Sequence, residues 1–214
     1  MEYLKIIDLS RMITEGMQCF PGDVSPKIER LEGGGFRTAN VLLCSHSGTH
    51  IDAPAHLCTQ SVTLDKMPPE TFWGLALLVD AREAAGREVE IADIALHAEK
   101  LAEADFLLLR TGWEEKFGTE GYLSGFPTLS PEAAKYALSL GLRGFGFDAI
   151  SADRTESEEC PIHKTLLGSG AVIIENLRGL GALPEGETFL LAALPMPLAQ
   201  ADAAPARVMA VLEN

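Results

Sequence analysis

Several short runs of this sequence are apolar throughout, with almost no polar alternation. ALLVDA at residues 76–81 and FLLLRT at residues 106–111 are the clearest examples. A strand that is apolar on both faces must be covered on both faces, as happens when helices flank a sheet. We therefore expect an α/β protein built around buried central strands.

Residues that break helices and strands divide the rest of the chain into further strands and helices. Ser130, Pro131 and Glu132 favour the start of a helix, because they supply a hydroxyl N-cap, a proline at the first position and an early carboxylate. Gly141 is suited to end that helix. Strand-rich stretches near both ends predict a mixed sheet flanked by helices, rather than a plain doubly wound sheet. No linker divides the chain, so residues 1–214 are predicted to form a single domain. The predicted strands span residues 4–9, 40–45, 75–81, 106–111, 144–148, 171–175, 189–194 and 208–212, and the predicted helices span 91–104, 131–140 and 163–167.

Charge and hydropathy exclude whole classes of function. The chain has 31 acidic and 17 basic residues, and its formal net charge of −14 repels the phosphate backbone of nucleic acids. No run reaches the roughly 18 to 20 apolar residues of a membrane span. Charged residues also interrupt the amino-terminal segment where a signal peptide needs an apolar core. We therefore expect no nucleic-acid partner and no membrane partner.

The four cysteines stand in unrelated contexts, without a CxxC pair. This distribution argues against a disulfide framework or an all-cysteine zinc site, and it favours reduced thiols in a cytoplasmic protein. Cys44 and Cys58 flank a histidine-rich segment, which raises a nucleophilic cysteine as an alternative. Neither thiol has the context of a catalytic triad, so we expect both to be small buried hydrophobic residues.

The segment that carries chemistry is SHSGTHIDAPAHL at residues 45–57. It holds His46, His50 and His56, three of the five histidines in the chain, with Asp52 among them. Imidazole nitrogen and carboxylate oxygen suit Zn²⁺, Mn²⁺ and similar cations. Gly48 and Pro54 oppose a helix here, so an extended piece is expected, in which His50 and Asp52 point to the same side. The pattern predicts a metal site, although the helical zinc motif HExxH is absent.

Two other segments are expected to be loops. The acidic run at residues 153–159 is predicted to be a solvated loop near the site. The three consecutive glycines at residues 33–35 lack the strand–loop–helix setting of a phosphate cradle, and they predict a flexible turn.

The sequence resembles the cyclase-like metal-dependent hydrolases, a family that includes bacterial kynurenine formamidase and isatin hydrolase. The resemblance rests on the motif His46-x-Gly48-Thr49-His50-x-Asp52-x-Pro54-x-His56 and covers nearly the whole chain. Other matching segments follow in the expected order: Phe20-Pro21-Gly22-Asp23, Leu109-Arg110-Thr111, Gly146-Phe147-Asp148 with Ser151-x-Asp153, Ile173-Ile174-Glu175-Asn176-Leu177, and residues 194–195 with residues 201–207.

The resemblance implies roles for particular residues. His46 and His50 match histidines that hold one metal, and Asp52 matches an aspartate that bridges to a second metal position. His163 and Glu175 match the later residues that complete the metal site. His56 matches the proton donor and acceptor of the family, and Phe20 matches an aromatic residue at the substrate pocket. A carboxylate such as Glu175 at the end of an apolar strand also needs a cation or donors to offset its desolvation.

The same resemblance implies a cyclase-like swivelling β/β/α fold and a homo-oligomer, a homodimer or a homotetramer. It also implies a divalent metal, either Zn²⁺, with one or two ions per subunit, or Mn²⁺, because His, Asp and Glu accept both cations. The implied substrate is a small amide, with N-formylkynurenine from tryptophan catabolism as the leading candidate. A metal-activated water would attack the formyl carbon and His56 would protonate the departing nitrogen.

Alternatives remain at the level of function. The segment that follows Asp148 carries one histidine, where many formamidases have an adjacent pair, and the aromatic residue is Phe20, where tryptophan often stands. A cyclic amidase of the isatin hydrolase kind would use the same chemistry in another pocket. A non-catalytic protein that binds a metal and a small ligand on this fold is the competing class, although such a protein has little need of His56.

Overall fold

The computed structural model describes residues 4–57 and 60–212, which contain ten strands and four α-helices. The strands are β1 (Lys5–Asp8), β2 (Lys27–Gly33), β3 (Phe36–Leu42), β4 (His50–Asp52), β5 (Trp73–Asp80), β6 (Phe106–Arg110), β7 (Gly144–Phe147), β8 (Val172–Glu175), β9 (Thr188–Pro195) and β10 (Ala203–Leu212). The helices are α1 (Ile91–Ala95), α2 (Ala98–Leu101), α3 (Pro131–Ser139) and α4 (Pro161–Gly168).

Eight strands form one mixed sheet in the order β1-β10-β4-β8-β7-β6-β5-β9. Strands β5 to β8 run parallel, and the other neighbours are antiparallel. Strand β9 also pairs with β10, so seven strands close into a barrel-like ring and β1 is added along β10. Strands β2 and β3 form a separate hairpin. The predicted mixed sheet flanked by helices is confirmed.

Both faces of the central strands are buried, in two separate cores. In β6, Leu107 and Leu109 pack with α3 and α4, whereas Phe106 and Leu108 point into the ring. The interior of the ring is filled by Ile51, Leu191 and other apolar side chains of the remaining strands. This arrangement explains the continuous apolar runs, because each second residue serves a different core.

Strand β7 shows how closely the ring is packed. Its sequence GFGF places Phe145 and Phe147 against the helices and turns two glycines inward. A Cβ atom on Gly144 would lie 2.2 Å from Phe106, and one on Gly146 would lie 2.4 Å from Leu108. Only glycine leaves room for these neighbouring side chains.

The predicted elements differ most from the observed ones in three places. Residues 40–45 do not form a strand of their own, because β3 ends at Leu42 and Cys44 lies in the following turn region. The predicted helix over residues 91–104 is two short helices, since the backbone of His97 leaves the helical conformation with φ −113°. Strand β2 was not predicted. The N-cap is confirmed, because Ser130 accepts a hydrogen bond from the Ala133 amide at 3.2 Å, and Gly141 follows α3 with φ +94°.

Cys19, Cys44 and Cys160 are free thiols, and Cys58 lies outside the described residues. Among the described helices, we find none with the length and apolar character needed to cross a membrane.

Candidate metal centre

The centre of the site is the short strand β4, which lies between β8 and β10. His50 and Asp52 project from the same face of β4, as predicted, and both are buried. Glu175 ends β8 directly opposite His50 in the antiparallel register. Residues that lie opposite each other in such a pair share one face of the sheet. The pairing therefore brings Glu175 to the two residues of the motif.

The turn before β4 orients the rings of His46 and His50. Gly48 has φ +68°, and its carbonyl oxygen accepts a hydrogen bond from Nδ1 of His50 at 2.8 Å. That bond turns Nε2 of His50 toward Glu175 Oε2, at 3.3 Å, and toward Asp52 Oδ1, at 3.4 Å. On the other side of the turn, Nδ1 of His46 lies 3.0 Å from the same Asp52 oxygen.

Helix α4 delivers the remaining histidine. His163 is buried, and its Nε2 atom lies 3.1 Å from Oε1 of Glu175 and 3.7 Å from Oδ2 of Asp52. The same Glu175 oxygen accepts a hydrogen bond from the Ala152 amide at 2.8 Å. His46, His50, Asp52, His163 and Glu175, which the sequence placed together by motif and resemblance, thus lie in one cluster.

The acidic segment at residues 153–159 forms a loop, as expected, but Asp153 at its start does not face solvent. Its side chain is buried, and it accepts hydrogen bonds from the amides of Ile162 and His163 at 3.0 and 2.8 Å, in the first turn of α4. Oδ2 also lies 2.7 Å from Nδ1 of His163. The carboxylate thereby caps the helix and fixes the histidine ring, with Nε2 directed at the cluster.

The buried carboxylates of this cluster favour positive charge next to them. Burial disfavours the ionised Asp52 carboxyl, yet the nearby charges of His50 and His46 hold its pKa well below the usual range. Burial likewise disfavours protonated His46, but Asp52 and Asp202 outweigh it and raise the pKa of His46 to about 11. Buried carboxylates of this kind require compensation by protons on the imidazoles or by a bound cation.

The donor atoms fit a divalent cation. Both carboxylate oxygens of Asp52, and Nε2 of His50, are buried without a hydrogen-bond partner. Ligand atoms bound at about 2.0–2.2 Å to one cation lie about 3.0–3.5 Å apart, and the separations among His46, His50, Asp52 and Glu175 are 3.0, 3.3 and 3.4 Å. Two sets with ligand atoms within 4.8 Å share Asp52: one adds His46 and His56, and the other adds His50 and Glu175.

His56 lies at the edge of the cluster, on a short helical turn over Pro54–His56. Its side chain is 29% exposed, whereas that of His50 is only 2% exposed. The His56 ring centroid is 4.4 Å from that of His46 and 5.9 Å from that of His163. This position, beside the buried donors but open to a cavity, suits a group that exchanges protons with a ligand.

A cavity of about 260 Å³ opens onto the cluster. His46, His50, His56, His163 and Glu175 form part of its wall. Three apolar side chains, Phe20, Leu57 and Ile150, form another part of the wall. Phe20 is therefore placed at the cavity, where the sequence put a substrate-contacting aromatic residue.

Sequence reasoning missed Asp202 at this site. Its Oδ2 atom lies 3.1 Å from Nε2 of His46 and 3.0 Å from Nδ1 of His56. Asp202 lies in the matching segment at residues 201–207, but within the stretch AQADAAPA nothing marks its role except that it is the one acid among small residues. Its partners are 156 and 146 residues away in the chain. Spacing along the sequence could not have joined them.

The fold and the site define an α/β protein whose buried imidazoles and carboxylates fit a divalent metal beside a small-molecule cavity. Residues 7–154 match the Cyclase family model, described as "Putative cyclase". The chain belongs to this family.

Similar proteins cover almost the whole chain. A kynurenine formamidase of Erythrobacter litoralis is 32% identical over 209 residues, which are 96% of this chain and 93% of that protein. A solved structure of a predicted metal-dependent hydrolase from Bacillus stearothermophilus is 30% identical with a TM-score of 0.82, over 98% of each chain. Isatin hydrolase A from Labrenzia aggregata, 23% identical, shares the fold with a TM-score of 0.89 over 99% of this chain and 94% of its own.

Proposed function

We propose that this protein is a metal-dependent hydrolase that cleaves the carbon–nitrogen bond of a small arylformamide. N-formylkynurenine, converted to kynurenine and formate, is the leading substrate. The observation that carries this proposal is a cluster of potential metal-ligand atoms around Asp52 beside a small cavity. Several of these atoms are buried without a hydrogen-bond partner. The kynurenine formamidase that is 32% identical over nearly the full length supports the choice of bond and substrate.

In this proposal, His46, His50, Asp52, His163 and Glu175 hold the metal. Asp52 belongs to both sets of close donors, which suits a residue shared between two cations. Zn²⁺ and Mn²⁺ both accept these ligands, and one or two ions are compatible with them. When bound, such a cation supplies Lewis acidity, which polarises a carbonyl and makes water a better nucleophile at neutral pH.

His56 is proposed as the acid and base. Nδ1 of His56 faces Asp202 at 3.0 Å, which leaves Nε2 for a ligand in the cavity. A neutral imidazole can accept a proton at this nitrogen and donate it again. Amide hydrolysis needs that second step, because the amine leaves readily only once its nitrogen is protonated.

Phe20, Leu57 and Ile150 are proposed to bind the aromatic part of the substrate. They supply an apolar wall beside the polar cluster, and the cavity volume of about 260 Å³ matches a single-ring compound. An aryl group that packs there would also exclude water from the reacting bond.

A cyclic amide such as isatin is the second candidate substrate. The described residues that line the cavity include Asp23 and no lysine or arginine. A kynurenine-type substrate would bring its own carboxylate into this cavity, without a cationic side chain of this subunit to bind it. A neutral cyclic amide carries no such charge, and its ring bond requires the same acid and base.

A substrate screen tests the proposal. Protein loaded separately with Zn²⁺ and with Mn²⁺ is assayed on N-formylkynurenine, formanilide and isatin, and conversion of the amide to the free aromatic amine is followed by absorbance. We expect formamide hydrolysis that a chelator abolishes and that the cation restores. Turnover of isatin alone would select the second candidate. Metal-loaded protein that is inert on all three would favour a non-catalytic binding protein.

We also propose that the protein acts as a cytoplasmic homodimer or homotetramer. The support for an oligomer is the β2–β3 hairpin, which pairs with no other strand and exposes apolar side chains on one face. A lone two-stranded hairpin is at best marginally stable in water. A second copy of the chain would cover this surface.

A further inference from the structure

Asp202 touches two histidines of different function with one oxygen atom. Oδ2 lies 3.1 Å from Nε2 of His46 and 3.0 Å from Nδ1 of His56, while Oδ1 accepts a hydrogen bond from the Ser45 hydroxyl at 3.3 Å. His46 uses its other nitrogen toward Asp52. Asp202 thus stands outside the cluster of donors around Asp52 but orients rings on its border.

The backbone holds Asp202 in this place. Its carbonyl oxygen accepts a hydrogen bond from the Ala53 amide at 2.8 Å, and the next residue, Ala203, pairs with Asp52 in the sheet. The carboxylate is therefore anchored to the same strand that carries the metal ligands, although its side chain remains 43% exposed. Asp202 is thus held beside His46 and His56 even though its carboxylate is partly exposed.

We propose that Asp202 is a positioning residue that fixes the ring orientation and tautomer of His56 and links them to His46. A neutral imidazole has one N–H donor and one acceptor. If Nδ1 donates to Asp202, the lone pair of His56 must lie on Nε2, on the side away from that carboxylate. The shared oxygen makes the position of His56 depend on that of a proposed metal ligand.

This role rests on the proposed function, since it assigns the proton-transfer nitrogen of His56. Without Asp202, the His56 ring can rotate and can carry its proton on either nitrogen. The fraction of molecules with a free Nε2 lone pair aimed into the cavity would fall. Turnover should fall with it, while the aryl-binding wall and hence KM stay as they are.

The test uses the zinc-loaded full chain with ¹⁵N-labelled histidine. Only five histidines are present, so His56→Ala assigns its signals directly. In wild-type protein we expect the Nδ1–H tautomer of His56. In Asp202→Ala we expect loss of that preference and a kcat lower by about 10- to 100-fold, the usual cost of losing such an outer partner, with KM within about 2-fold.

Asp65→Asn is the matched control. Asp65 accepts a hydrogen bond from the Gln200 amide at 3.1 Å, so it holds the same loop as Asp202, but it makes no hydrogen bond to a described histidine. This variant should keep the wild-type tautomer and kcat. Asp202→Asn, which retains the size of the side chain, should fall between the wild type and Asp202→Ala.

Two outcomes overturn the proposal: a His56 signal unchanged in Asp202→Ala, or a kcat within 2-fold of wild type in that variant. The spectrum also separates this inference from the substrate assignment. Suppose that wild-type protein hydrolyses none of the amides, while the His56 tautomer still differs between wild type and Asp202→Ala. That result would refute the proposed function and leave the positioning role intact.

Discussion

At the level of single residues, substitution of Asp52 and of His56 should affect metal binding and turnover differently. Asp52 is fully buried and shares its oxygens with both sets of close donors. Asp52→Ala should therefore lose both metal and turnover, whereas His56→Ala should keep its metal and lose turnover. Loss of a general acid typically costs about 10²- to 10⁴-fold in rate. Elemental analysis of each purified variant, beside its kcat, checks both expectations.

His97→Ala is the control for His56→Ala. His97 lies between α1 and α2, away from the cavity, and its loss should leave metal content and rate unchanged. Because His56 also belongs to a set of close donors with His46 and Asp52, a fall in metal content in His56→Ala would reassign it as a ligand. An unchanged rate would remove its acid–base role.

Local spacing was sufficient to predict part of this site. His46, His50, Asp52 and His56 fall within eleven residues, and the alternation of an extended strand was enough to put His50 and Asp52 on one side. Composition misled at Asp153, because a charge-rich segment usually faces water. Here that carboxylate caps α4 and contacts His163, a role that the charge pattern of the segment does not reveal.

At the scale of elements, the inward face of β7 sets a limit on side-chain volume. A Cβ on Gly146 would lie 2.4 Å from Leu108 and 2.7 Å from Leu177, both buried in the ring. Gly146→Ala should destabilise the protein by about 1–3 kcal/mol, as overpacking does in a filled core. Urea unfolding at equilibrium would measure the loss.

Gly168→Ala is the matched control for that change. Gly168 ends α4, has no positive φ, and would place a Cβ with nothing within 4 Å. Alanine is favoured over glycine in a helix, by up to about 1 kcal/mol in its interior, so this variant should be as stable as wild type or slightly more so. Equal stability of the two variants would contradict the tight packing inside the ring.

Strands could be predicted from the sequence where their burial requires a run of apolar residues. The buried strands β5 and β6 serve a core on each face, and their apolar runs were evident from the residues alone. Strand β2 escaped prediction because six of its seven residues, KIERLEG, are exposed, so burial imposes no apolar pattern. The break at His97 has no glycine or proline to announce it.

At the scale of the whole molecule, the proposed metal should add to stability. A cation that binds only the folded state stabilises it by about 4 kcal/mol at a thousandfold excess over Kd. For a chain of this length, each kcal/mol moves Tm by about 2–4 °C. Scanning calorimetry of metal-loaded protein should therefore show a Tm higher by about 8–16 °C than after chelation. Asp52→Ala should not respond to the chelator, and a wild-type Tm that ignores it would argue against a bound metal.

The hairpin of β2 and β3 makes the fewest strand pairings with the rest of the fold. It pairs only with itself, and every residue of β3 is exposed. In its antiparallel register, Leu31, Phe36 and Leu42 share one face, and they are 42%, 76% and 55% exposed. Elsewhere the chain exposes Trp73 and Leu75 on one face of β5. In the proposed oligomer, a second copy would supply this complementary apolar surface while its own hairpin is covered in return.

Replacing Leu31 and Phe36 together by lysine should convert the proposed oligomer into monomers. Two charges cannot be buried in an apolar contact without a large desolvation cost, while both positions are already exposed within one chain, so the fold should survive. Sedimentation velocity measures the change, and circular dichroism checks the fold. Leu96→Lys is the control, because Leu96 is 85% exposed but lies away from the hairpin. A wild-type monomer, or a double variant that stays associated, would show that the hairpin does not join two copies.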